Sequence, residues 1–153
     1  MFAELPYLTN IPYLNTEGVT DMYGLFRSCS ALTTIPQLDT HSATDMGQMF
    51  VDCASIISVP KLDATSLTAA QYMFGYSSRP MKKFTTFGGL TNLKIDLDLS
   101  TCPALTKESL LNVFNEAADV TASPKTLTLG ATNLNKLTDA DKAIATNKGW
   151  TLK

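Results

Sequence analysis

Only one histidine and one tryptophan occur among 153 residues, and the three cysteines include no Cys-x-x-Cys pair. A zinc ribbon or a multi-histidine metal site therefore lacks its ligands. No apolar run approaches the ~20 residues a helical bilayer crossing needs, so no membrane insertion by this segment is expected. Charge is scarce: 17% of residues carry it, with 12 basic against 14 acidic side chains and a net charge of −2. Phosphate backbones are held by clustered positive charge, so nucleic acid is not an expected partner. The one basic cluster, Arg79-Pro80-Met81-Lys82-Lys83, is short and reads as a solvated turn. Met1-Phe2-Ala3-Glu4-Leu5-Pro6 has neither the basic start nor the apolar stretch of a secretory leader. What the chain does have is a 44% share of hydrophobic residues, enough for a buried core.

Those residues recur with a fixed step. Ile11, Ile35 and Val59 stand 24 apart, each followed by a proline, and Leu14, Leu38 and Leu62 keep the same step. So do Phe26, Phe50 and Phe74; Leu25, Met49 and Met73; and Thr20, Thr44 and Thr68. Cys29 and Cys53 match, with Ser77 in the third copy. A step of this length marks a repeat protein whose units cannot bury their apolar faces alone and must stack. Coiling into a solenoid is the arrangement that uses it. Phe2 and Leu8 stand one step before Phe26 and Leu32, so the chain opens in mid-repeat and is expected to be a piece of a longer protein.

Within a unit, Thr20, Thr44 or Thr68 is placed to cap a helix, with Asp21 or Asp45 beside it. Met22-Leu25-Phe26-Cys29 and Met46-Met49-Phe50-Cys53 fall at i, i+3, i+4, i+7, which predicts a short helix with one apolar stripe. Leu32 to Pro36 predicts a brief strand, and Asn15-Thr16, Asp39-Thr40 and Asp63-Ala64 predict turns. Beyond Phe74 the spacing decays, and a longer unit follows. Leu97-Asp-Leu99 and Leu127-Thr-Leu129 predict strands. They precede helices from Thr106 to about 118, carrying Leu110, Leu111, Val113 and Phe114, and from Thr138 to about 147, carrying Ala140, Ala143 and Ile144. Thr138 with Asp141 forms a capping-box analogue, Gly149 a stop, and Trp150-Thr-Leu152 a last strand. Residues 1–83 and 84–153 are expected to share one core as a single domain, the second part closing the stack against water.

The motif "VTDMYGLFRSCSALTTIPQLDT" and its repetition resemble the BspA-like family of leucine-rich-repeat surface proteins, and the related repeat of mycoplasma-type lipoproteins. The tail from Leu105 is similar to the closing segment of repeat proteins encoded by gut bacteria and their phages. The resemblance implies a right-handed, leucine-rich-repeat-like β/α solenoid of the α/β class, with 24-residue rungs and a C-terminal capping unit. It also implies a cell-surface or extracellular location and a role in adhesion or recognition, with no enzymatic activity and no cofactor. A phage virion component, such as a fibre or tail domain, and a structural spacer are the alternatives. The family supplies no ligand motif to carry over.

Candidate chemistry is correspondingly thin. Cys29, Cys53 and Cys102 read as buried free thiols, although stacked equivalents about 5 Å apart would permit a Cys29–Cys53 bridge. His41 lies in a turn beside Asp39 and Ser42, without the shaped pocket a catalytic triad needs. Met22, Met46, Met49 and Met73 are core filler. A calcium pair at Asp21 and Asp45 is broken by Ala69 in the third copy. The remaining candidate is the exposed face of the strand column, where residues vary while core letters hold. Tyr7, Tyr13, Thr33, Gln37, Ile57 and Lys61 are its binding residues, for a protein or glycan partner, or else plain solvated surface.

Overall fold

The computed structural model describes residues 2–153, so Met1, the expected counterpart of Leu25, lies outside the described residues. Phe2, Phe26, Phe50 and Phe74 line up in one column, with successive ring centroids 6.2, 5.8 and 5.7 Å apart and planes within 27°, 17° and 14° of parallel. The column does not stop where the sequence period decays. Phe84 stacks on Phe74 at 5.4 Å, and Phe87 meets it edge-on at 5.3 Å. Apolar residues from Ile11 to Trp150 form one continuous buried cluster around this spine.

The helices expected at Met22–Cys29 and Met46–Cys53 are not formed; these segments are runs of tight turns. Alternate amides reach sideways into the next repeat: Met22 N–H donates to Asp45 C=O at 2.8 Å, Gly24 to Gly47 at 2.9 Å, Phe26 to Met49 at 3.1 Å and Ser28 to Val51 at 2.7 Å. The amides between them close turns, Leu25 to Met22 at 3.1 Å, Arg27 to Gly24 at 3.0 Å and Cys29 to Phe26 at 3.0 Å. Positive φ falls at the third residue of such turns, at Gly24, Ser28, Gln48, Asp52 and Tyr72. A third residue at positive φ is the type II signature, and it is incompatible with a continuing right-handed helix. The i, i+3, i+4, i+7 spacing was real but ambiguous, because a chain of four-residue turns also returns a side chain to one face every fourth position.

The residues expected to cap those helices serve the repeat-to-repeat contact instead. Thr44 Oγ1 donates to Thr20 C=O at 3.1 Å, and Thr68 Oγ1 to Thr44 C=O at 3.0 Å. Asp21 Oδ1 accepts from Tyr23 N–H at 2.9 Å and Asp45 Oδ1 from Gly47 N–H at 2.7 Å, the geometry of an Asx turn. The expected turns at Asn15, Asp39 and Asp63 have the same form, each carboxyl or amide oxygen taking the N–H two residues on.

Strands are short and parallel. β1 (Ser58–Val59) pairs with β3 (Thr86–Phe87), and β2 (Leu62–Asp63) with β4 (Leu90–Thr91). Single bridges join Asp21 to Asp45, Asp45 to Ala69 and Thr34 to Ser58, the last being all that forms of the strand expected at 32–36. The extra residues after the third repeat are not a free basic turn: Met81 is buried, its N–H bonds Thr101 C=O, and Arg79 pairs with Asp52 at 2.7 Å.

The C-terminal part is built from β5 (Leu97–Asp98), α1 (Lys107–Glu116), β6 (Lys125–Thr128), α2 (Gly130–Leu134), α3 (Asp139–Thr146) and β7 (Trp150–Leu152). The strands form a parallel sheet in the order β5-β6-β7. Thr106 caps α1, which buries Leu110, Val113 and Phe114, while Leu111 is only partly buried. α2 was not foreseen. In α3 the buried residue is Ala145, not the expected Ala140, which is exposed. Lys148 closes the far end of α1, its ammonium donating to the carbonyls of Phe114, Asn115 and Ala117 at 2.8–2.9 Å, where the helix dipole is negative.

The capping box at the start of α3 is present, and Asp141 carries it together with an ion pair to Lys107 at 2.6 Å. The Lys107 contact, with the Thr138 hydroxyl and amide behind it, holds the Asp141 carboxyl down at about 2. A depressed folded value means its contribution is whole above the unfolded carboxylate value, roughly 3.9, and is lost as pH falls through about 2. Thermal melts of wild type should therefore fall more steeply between pH 4 and 2 than those of Asp141→Asn. Parallel curves would remove Asp141 from the acid response.

Candidate functional site

The six residues expected to bind occupy two neighbouring columns and one end of the molecule. In the first column, Thr33 C=O accepts from Ile57 N–H at 2.8 Å, and Ile57 C=O accepts from Thr85 and Thr86 N–H at 3.0 and 3.1 Å. Backbone pairing thus sets Thr33 beside Ile57 and leaves the Ile57 side chain 47% exposed. In the second column, Gln37 Nε2 donates to Lys61 C=O at 2.8 Å and to Leu38 C=O at 3.2 Å. Gln37 is therefore a clamp between repeats. Lys61 pairs with Glu116 at 3.3 Å. Thr91, whose hydroxyl donates to Glu116 at 2.7 Å, and then Lys61 keep that carboxyl below its ordinary range.

Tyr13 stands one repeat before Gln37 and is 74% exposed, while Tyr7 is 92% exposed. Tyr7, Leu5, Pro6 and Leu8 surround an apolar hollow of about 230 Å³. Three of the six, Tyr7, Tyr13 and Ile57, thus project apolar surface into water with their side chains uncommitted. Gln37 and Lys61 are committed to holding neighbouring segments together. A column that varies between repeats signals exposure, but it cannot tell a free side chain from one bonded across the step.

A second concave region was missed. A groove of about 450 Å³ lies between the third repeat and β5, with Tyr72, Asp96, Asp98 and Lys125 in its wall. Tyr72 is 55% exposed and its ring sits 4.8 Å from that of Tyr76. The signal for it in the sequence was Ala69, which breaks the Asp21–Asp45 series.

His41 Nδ1 lies 3.2 Å from Asp63 Oδ2 on the surface, while the Asp39 carboxylate takes the His41 backbone N–H. Partial burial works to raise the Asp63 value, and it is outweighed by hydrogen bonds from Thr65 and contact with His41, so the carboxyl sits below its usual range.

All three cysteines are free and buried. Cys29 and Cys53 thiols point at carbonyls of the preceding repeat, Phe2 C=O at 2.9 Å and Phe26 C=O at 3.0 Å. Burial pushes the Cys53 and Cys102 thiols up to about 12 and raises Cys29 as well. A thiol-specific reagent at pH 8 should therefore react slowly with the folded protein and count three groups once it is denatured, since the thiolate is the reactive form. A count below three would show a bridge.

A family model described as "Mycoplasma protein of unknown function, DUF285" matches residues 1–87, more than half of the chain. No curated protein and no solved structure matches.

Proposed function

The chain belongs to the family of Mycoplasma-type repeat proteins of unknown function, DUF285, and from that premise we propose that it is a non-enzymatic recognition module. In this reading it acts at a cell surface or outside the cell and binds a protein or glycan through side chains displayed along a leucine-rich-repeat-like solenoid of BspA-like units. The parallel 24-residue pairing and the aligned phenyl rings support the solenoid reading, with turns in place of its short helices. The observation that carries the recognition role is the exposure of Tyr7 and Tyr13 at 92% and 74%. Tyrosine offers a rigid apolar face and a polar tip, and anchors of this kind dominate binding energy where they are buried by a partner.

The test is an array of glycans and surface proteins probed with the purified chain, followed by Tyr7→Ala with Tyr13→Ala. Each lost anchor is worth on the order of 1–2 kcal/mol, so the double variant should bind at least tenfold more weakly with an unchanged melting temperature. A silent array would favour the spacer role and overturn the reading. Undiminished binding by the double variant would retire this face.

A further inference from the structure

The rule of rung-to-rung bonding lapses at Asp52 in the second repeat and along the whole third repeat, where Ala70, Tyr72, Phe74 and Tyr76 N–H make no forward bond among the described residues. In the first repeat Met22 and Gly24 N–H donate forward to Asp45 and Gly47 C=O, and Tyr23 N–H is held by Asp21. In the second, Met46 and Gln48 N–H donate to Ala69 and Gln71 C=O, and Gly47 N–H is held by Asp45. In the third, the corresponding amides of Ala70, Gln71 and Tyr72 have no acceptor among the described residues. Gln71 loses its acceptor because Ala69 replaces the aspartate. Ala70 and Tyr72 lose theirs because no backbone pairing joins this segment to β5. β5 is itself an edge strand, bonded on one side only, to β6. These two open edges flank the groove of about 450 Å³.

We propose that this groove is a binding slot for an extended peptide segment of a partner protein, carrying a lysine or arginine, which adds a strand between the third repeat and β5. Such strand addition takes its affinity from main-chain bonds and its selectivity from alternate side chains. Two features select this occupant. The forward donors, Ala70 and Tyr72 N–H, are two residues apart, matching the spacing of carbonyls along one edge of an extended chain. Within the stack, Met22 and Gly24 likewise meet carbonyls two residues apart, at Asp45 and Gly47, where the chain enters the turn run. The charge in the wall is two carboxylates against one ammonium. Asp96 Oδ1 accepts from Thr126 N–H, and Asp98 Oδ1 from the Ser100 N–H and hydroxyl. The second oxygen of each has no partner among the described residues. A basic side chain in the bound strand would meet them, and Lys125 sets a limit of one.

This slot rests on the recognition reading but not on Tyr7 or Tyr13. The probe is a positional-scanning library of end-capped hexapeptides, screened against the whole chain, with the selected pool followed by amide chemical shifts. The expected result is enrichment of Lys or Arg at one position and exclusion of proline. Shift changes should centre on Ala70, Tyr72 and Asp98, since Leu97 and Leu99 turn their backbone groups toward β6. Asp96→Asn with Asp98→Asn, which keeps both Oδ1 acceptors, should weaken the pool at least tenfold and erase its preference for Lys over Glu. No binding pool, a pool that shifts Tyr7 and Tyr13 instead, or chitotriose displacing the signal from the groove where peptides do not, would each overturn the slot. An array partner lost on Tyr7/Tyr13 replacement alongside a silent peptide library would sink the slot and leave the recognition module standing.

Discussion

Phe50→Ala should cost about 3–5 kcal/mol, the usual toll for deleting a fully buried aromatic ring. That is a large part of the 5–15 kcal/mol by which a domain this size is stable. Phe50 is wholly buried and stacked on both faces, 5.8 Å from Phe26 and 5.7 Å from Phe74. Each repeat hands its apolar face to its neighbours, so the vacancy opens toward two units at once and neither can close it without shifting its own turns. Phe2→Ala provides the internal comparison. Its ring is only partly buried and is stacked on Phe26 alone, at 6.2 Å, and its loss should cost well under half as much. Denaturant midpoints at constant slope would measure both. Equal losses at the two positions would show that the column is not a cooperative stack, and would undercut the repeat architecture with it.

Much of that column was legible in the sequence because its information is periodic. Constant spacing between Phe26, Phe50 and Phe74 survives any choice of local structure. The local structure was harder. Thr20-Asp21 ahead of Met22, Leu25, Phe26 and Cys29 meets the cap and spacing rules for a helix, though Gly24 sits inside it, and Met22, Gly24, Phe26 and Ser28 bond sideways. Helix propensity is a weak prior, and eight residues are too few to form a helix without tertiary support. Once the neighbouring repeat offers acceptors at the right height, the turn wins. At Thr106 and Thr138, where side-chain caps close the first turn and no equivalent turn run lies alongside, caps and starts fell where expected. The binding face was legible only as a set of exposed columns. That Gln37 reaches across to the Lys61 carbonyl, or that Ala69 strands an amide beside a groove, depends on partners 24 residues away or on a bond that is missing. No local pattern encodes either.

The second large effect concerns a residue with no periodic signature at all. Asn133, on the unforeseen helix α2, is completely buried. Its Nδ2 donates toward the carbonyls of Leu99, Cys102 and Leu129, each at 3.2 Å, and its Oδ1 accepts from Lys136 at 2.8 Å. Lys136 in turn holds the Pro103 and Leu105 carbonyls at 2.8 and 2.6 Å. One amide thus fixes β5's exit, the turn at Cys102 and the start of α2 to one another. Asn133→Asp keeps the volume and the contact to Lys136 while turning two donors into an acceptor aimed at three carbonyls. No cavity forms, so the whole loss is polar. Buried groups left unmatched cost about 1–3 kcal/mol apiece, and the variant should lose on the order of 3 kcal/mol at neutral pH. Protonating the new carboxyl restores one donor, so the deficit relative to wild type should narrow as pH falls toward 4. If Asn133→Asp unfolds at the wild-type midpoint at pH 7, the amide is not the tie that holds the exit of β5, the turn at Cys102 and α2 together.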